Sequence, residues 1–85
     1  MDWRLLVKSE VQKKLNKLPR HDADRILEII KELPADPYAG DIERMHGEDN
    51  AWRRRVGAYR IFYEILGSES VIYVFEVKRR TSSTY

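Results

Sequence analysis

Apolar residues recur at helical spacing in the first half of the chain and alternate in the second. Trp3 to Val7 reads as a short opening strand, and Ser9 stands where it can cap a following helix. Val11, Leu15 and Leu18 fall at i, i+4 and i+7, which gives that helix one apolar stripe among lysines. Pro19 interrupts it. A second helix fits His21 to Leu33, with Ala23, Ile26, Ile30 and Leu33 on one face. Pro34, Asp36-Pro37 and Gly40 end that helix and open a loop. Asp41 to Met45 suggests a further short turn of helix, closed by Gly47.

From Ala51 the period becomes two. Trp52 to Val56, Tyr59 to Leu66 and Val71 to Lys78 are rich in β-branched and aromatic residues and read as strands. Gly57-Ala58 and Gly67-Ser68-Glu69-Ser70 are short enough to join them as an antiparallel meander. The order β-α-α-β-β-β predicts an α+β fold, an antiparallel sheet with two N-terminal helices packed on one face. The other face is left for function.

A chain of 85 residues supports one hydrophobic core, so residues 1–85 are expected to form a single domain. Apolar residues make up 42% and charged residues 35%, the composition of a folded chain. There is no cysteine, which excludes disulfides, thiolate nucleophiles and cysteine-held zinc and suits a reducing cytoplasm. No long apolar run follows the N-terminus, so neither a signal peptide nor a membrane span is expected. Net charge is only +2, but it is unevenly distributed. Residues 1–50 hold nine Lys/Arg against eleven Asp/Glu, and residues 51–85 hold seven against three. The positive surplus of the last 35 residues points to a surface for a polyanion.

Alternation sorts that surplus by face. Trp52 and Val56 point one way, Arg53 and Arg55 the other. Ile61, Tyr63 and Ile65 belong under the helices, which leaves Arg60, Phe62 and Glu64 on the open face. Paired through a tight turn, the two strands bring Arg53, Arg55 and Arg60 onto one surface. Three guanidiniums there repel one another unless an anion lies among them, and phosphate offers arginine bidentate hydrogen bonds. The last strand runs into Lys78, Arg79 and Arg80 and the chain ends at Tyr85, a basic cluster and a ring suited to single-stranded nucleic acid. His21 and His46 lie outside this cluster in sequence. Trp3 and Trp52 read as packing residues, and Tyr59, Tyr63 and Tyr73 as sheet-core residues with polar tips. Lys8, Lys13, Lys14 and Lys17 form the solvated face of the first helix. No glycine-rich phosphate loop, paired histidines or carboxylate cluster suggests a cofactor or a metal.

Several segments together resemble the RelE/ParE toxin superfamily. They are Leu15-Asn16-Lys17-Leu18-Pro19, the apolar helix from Arg25 to Leu33, Asp36-Pro37 and Met45-His46-Gly47. Trp52 to Val56, the run from Gly57 through Tyr59-Arg60 to Tyr63-Glu64-Ile65, and Lys78-Arg79 with Tyr85 complete the set. The resemblance implies the toxin of a type II toxin–antitoxin system, a ribosome-dependent endoribonuclease that cuts mRNA in the ribosomal A site. It implies cytoplasmic, metal-free cleavage by 2′-hydroxyl attack, and an acidic antitoxin that folds on binding.

By the same resemblance, Arg60 stabilises the phosphate and Arg79 protonates the leaving oxygen. Tyr85 stacks on or orients the substrate base, and Arg53 and Arg55 match the second-strand pair; the basic cluster itself adds Lys78 and Arg80 as RNA-binding residues. RelE members often carry lysines where this chain has Arg53 and Arg55. Arginine stays protonated above pH 12 and is a poor base, so another group must accept the 2′-hydroxyl proton. Glu64 is one candidate and Lys78 another. Two alternatives share the fold, a ParE-type toxin that poisons DNA gyrase and a catalytically dead module that binds RNA or antitoxin.

Overall fold

The computed structural model describes residues 3–47 and 50–80. Strand β1 (Arg4–Val7) leads directly into helix α1 (Ser9–Leu15), and helix α2 (Arg20–Glu32) follows. Four strands complete the order, β2 (Ile42–Arg44), β3 (Ala51–Val56), β4 (Tyr59–Leu66) and β5 (Val71–Arg79). They form one sheet in the order β1-β5-β4-β3-β2.

The core lies between the sheet and the two helices. Val11 and Leu15 of α1, and Ile26, Ile30 and Leu33 at α2, are buried against Ile61, Tyr63, Ile72, Val74 and Val77. These are the helical stripes and the inward strand positions that the periodicity defines, so the two-layer α+β expectation holds. Helix α2 begins one residue after Pro19, which serves as N-cap without needing a side-chain bond.

Three local expectations are corrected. Ser9 is the first residue of α1 rather than its cap; Lys8 takes the cap position and the Ser9 hydroxyl donates to Glu10. Residues 42–44 are a strand, not a helical turn, because the outer edge of β3 supplies the hydrogen bonds: Ile42, Glu43 and Arg44 pair with Arg54, Arg53 and Trp52. The sheet is mixed, not purely antiparallel, since β1 runs parallel to β5 from Arg4↔Val71 to Val7↔Val74. A parallel neighbour requires a long crossover, and β5 is reached only after both helices and three strands.

The β3–β4 hairpin is closed by Gly57-Ala58. Gly57 has φ +57°, the first-position geometry of a type II′ turn, and this locks Arg55 opposite Arg60. Between β4 and β5 the register shifts at Phe62/Tyr63. Phe62 pairs with Glu76 while Tyr63 pairs with Val74, so Phe75 is the extra residue of a β-bulge.

Candidate active site

The face of the sheet away from the helices is ordered in cross-strand rows, because directly paired residues share a face. One row reads Arg55 on β3, Arg60 on β4 and Lys78 on β5. The next reads Glu43 on β2, Arg53 on β3 and Phe62 on β4; on β5 the ring of Phe75 meets Phe62, while the carboxylate of Glu76 turns to Lys14 of α1. A third holds Ala51, Glu64, Tyr73 and Leu6. The first row sets three cations side by side at the inter-strand spacing of about 5 Å. Like charges directly opposite destabilise a sheet, and an anion lying among them would offset that repulsion.

Arg60 stands between two clefts. One, of about 140 Å³, is lined by Asp41, Glu43, Arg53, Arg55 and Arg60. The other, of about 220 Å³, is lined by Arg60, Phe62, Lys78, Arg79 and Arg80. Arg53 donates from Nε to Oε1 of Glu43 at 2.9 Å, and its Nη2 bonds the same oxygen. That bond, with the charges of Arg53, Arg60 and His46, holds the Glu43 carboxyl below the ordinary glutamate range. Glu43 is therefore an ionised acceptor in the cleft. Sequence reading missed it because β2 is too short to show a period and became a strand only by pairing with β3.

The segment before β2 is fixed from the core. The Tyr63 hydroxyl donates to the Pro37 carbonyl at 2.8 Å, and burial raises this phenol to about 12. Tyr38 meets Trp52 edge to face at 5.7 Å, which bears out Trp52 as a packing residue. Gly40 has φ +87°, which favours glycine, and a Cβ there would lie 2.6 Å from the Arg54 guanidinium and push that side chain aside. These contacts set the approach of Glu43 to Arg53.

The structure brings Arg53, Arg55, Arg60 and Lys78 together on one face, as alternation requires. Arg79 pairs with Tyr59 on the helix side of the sheet, its guanidinium carbon 5.9 Å from the ring centroid, and reaches only the margin of the second cleft. The Tyr59 hydroxyl donates to Asp22 of α2 at 2.9 Å, and this bond, helped by burial, raises the phenol. Arg80 lines the second cleft too, with a buried Nε that has no hydrogen-bond partner among the described residues. Glu64 is half-buried on the open face but lines neither cleft. Tyr85 lies outside the described residues. Tyr73 departs from the core position expected of it; it is half-buried on the open face, between the inward Ile72 and Val74. His21 sits on the exposed side of α2 with Asp24, Arg25 and Glu28, and His46 is exposed in the loop after β2. Among the described residues no group of three or more His, Cys, Asp or Glu could hold a metal ion, and no helix is long and apolar enough to cross a membrane.

Residues 5–83 match the ParE toxin of type II toxin–antitoxin systems, parDE. A Methanocaldococcus jannaschii protein named as toxin RelE1 is 29% identical over 83 residues, 94% of this chain and 92% of that protein. The fold is similar to the RelE–RelB complex of Pyrococcus horikoshii OT3, at 27% identity and a TM-score of 0.83 over 98% of this chain and 100% of that one. It is also similar to the RelB–RelE complex of Methanococcus jannaschii, at 31% identity and a TM-score of 0.72 over 87% and 88% of the two chains.

Proposed function

The chain belongs to the ParE toxin family of type II toxin–antitoxin systems, and on that premise we propose that it cuts messenger RNA in the ribosomal A site without a metal. The observation that carries this reading is the row Arg55–Arg60–Lys78 with the carboxylate of Glu43 beside it. An acidic partner is served by the cations alone, and a carboxylate set among them only opposes it. A phosphate undergoing attack uses both, since fixed positive charge stabilises the negative charge that develops on its oxygens and a carboxylate can take the nucleophile's proton.

In the reaction a ribose 2′-hydroxyl loses its proton to a carboxylate and its oxygen bonds to the adjacent phosphorus. The bond from phosphorus to the 5′-oxygen breaks, and that oxygen takes up a proton. The products are a 2′,3′-cyclic phosphate and a 5′-hydroxyl end. Arg60 is central, with Arg53 and Arg55 clamping one side of the phosphate and Lys78 and Arg80 the neighbouring backbone. The resemblance makes Arg79 the proton donor, a role that requires its guanidinium to leave the Tyr59 ring for the second cleft, and makes Tyr85 the stacking ring. Glu43 is the better-placed acceptor than Glu64 or Lys78, since it already lies in the Arg60 cleft. It is held by Arg53, and a phosphate that draws Arg53 to itself frees the carboxylate for the proton.

The structures of similar chains as RelE–RelB complexes support an antitoxin partner. We read that partner as an acidic segment that folds onto the basic face, both proteins acting in the cytoplasm. The family match itself and the arginines at 53 and 55 favour one second reading, a gyrase poison. Primer extension on a reporter mRNA in a purified translation system separates the two. Cuts that depend on ribosomes, vanish with Arg60→Ala and fall at least a hundredfold with Glu43→Gln are expected. Intact mRNA with the wild type, together with gyrase-dependent DNA breaks, would establish the second reading instead.

A further inference from the structure

Beside its cations the open face carries a chain of rings. Tyr73 and Phe75 on β5 lie 6.4 Å apart, centroid to centroid, and Phe75 lies 6.3 Å from Phe62 on β4. Lys78 Nζ stands 5.8 Å from the centre of the Phe62 ring, so the rings join the cationic row without a break. The bulge at Phe75 makes this possible. In a regular strand Tyr73 and Phe75 would share a face with residue 77, and Lys78 would point into the core. One extra residue keeps Val77 buried and returns Lys78 to the face of the rings.

We propose that Tyr73 and Phe75, backed by the buried Phe62, form a stacking platform for the unpaired bases next to the scissile phosphate. The inference rests on the nuclease reading. An extended single strand then runs with its backbone over Arg55, Arg60 and Lys78 and its bases over Phe75 and Tyr73. The charges favour this occupant. Glu64 lies opposite Tyr73, so a carboxylate borders the rings. Glu76 is paired with Lys14 at 3.6 Å. An acidic peptide would be repelled at this end of the face, whereas base edges bring amino donors that a carboxylate accepts. Stacking on an aromatic ring tolerates any base, so the platform adds affinity and register without dictating sequence.

The test uses the full-length chain on programmed ribosomes. The mRNA carries 4-thiouridine at single stepped positions, with 2′-deoxy sugars at the cut to keep it intact. Irradiation is expected to link one or two nucleotides beside the scissile position to the peptide bearing Tyr73 and Phe75. This is read on the unaltered chain and so stands even if a variant folds poorly. On cleavable mRNA, Phe75→Leu and Tyr73→Leu are expected to raise KM about tenfold with kcat little changed, and Phe75→Trp to restore it. Crosslinks that label other peptides but never this one would overturn the platform. So would an unchanged KM in Phe75→Leu coupled with loss of antitoxin capture, which would give the rings to the protein partner. A wild type that leaves mRNA whole would remove the nuclease reading, and the platform with it.

Discussion

Glu43 and Arg53 hold each other across β2 and β3, and the same guanidinium is one that an incoming phosphate would take. That exchange gives the proposed base an unusual pH signature. Its carboxyl sits below the ordinary glutamate range, so it is fully ionised through neutral pH. The acid limb of kcat/KM is expected to lie below that range too, with no loss between pH 5 and 7. A limb near neutrality would point to a different base. Tyr63 makes the second residue-scale case. Its phenol is fully buried, bonded to Pro37, and raised from 10 to about 12. Between those two values the unfolded chain has released the proton and the folded chain still holds it, so stability falls as pH rises from 10 towards 12. The shift corresponds to roughly 2–3 kcal/mol. Tyr63→Phe is expected to lose about 1 kcal/mol at pH 7, where it leaves the Pro37 carbonyl unpaired, and to flatten the alkaline limb of a urea-denaturation series.

At the scale of elements, each helix is held by a few inward side chains and each strand by its neighbours. Ile30 is completely buried in the last turn of α2, in the core between helices and sheet. Ile30→Ala is expected to lower unfolding stability by about 3 kcal/mol in urea, a large share for a domain this small. The Gly40 bend tests the approach to β2. Gly40→Ala combines a positive φ with a Cβ pressed onto Arg54, and is expected to cost about 1–2 kcal/mol. It should also slow cleavage, because β2 carries Glu43, whereas Ile30→Ala should leave the rate per folded molecule nearly unchanged. Spans at this scale were largely legible in the sequence. The observed α2 and β4 lie within one residue of the ends that apolar periodicity and proline marked. β2 was not legible, since three residues, Ile42 to Arg44, carry too short a pattern to separate strand from turn.

For the whole molecule the charge is small in sum and polarised in place. The net +2 conceals a sheet face where Arg53, Arg55, Arg60 and Lys78 gather. Binding of single-stranded RNA through these groups releases counterions, so affinity should fall linearly in log–log form as salt rises. Arg60→Ala is expected to reduce that slope by roughly 0.7, the contribution of one phosphate contact on a single strand. Lys31→Ala, at the exposed C-terminal end of α2, should leave it unaltered. A slope insensitive to Arg60, measured by fluorescence anisotropy between 50 and 300 mM salt, would show that RNA lies elsewhere.

By itself the sequence determined, on the helices and on β3 and β4, which side chains point towards the core and which away, because strand alternation and helical spacing are local geometry and burial selects one register of each. It thus placed Arg53, Arg55 and Arg60 on one face before any tertiary contact was known. Tertiary structure alone decided that β1 lies parallel beside β5, that residues 42–44 complete the sheet, and that Glu43 meets Arg53. It also decided that Arg79 turns to Tyr59 while Lys78 joins Arg60, and that the bulge at Phe75 carries the rings and Lys78 on one face. Each of these joins segments distant in the chain or breaks a local period. Such pairings depend on which sheet edges and surfaces remain free after the core has closed, and no local pattern encodes that.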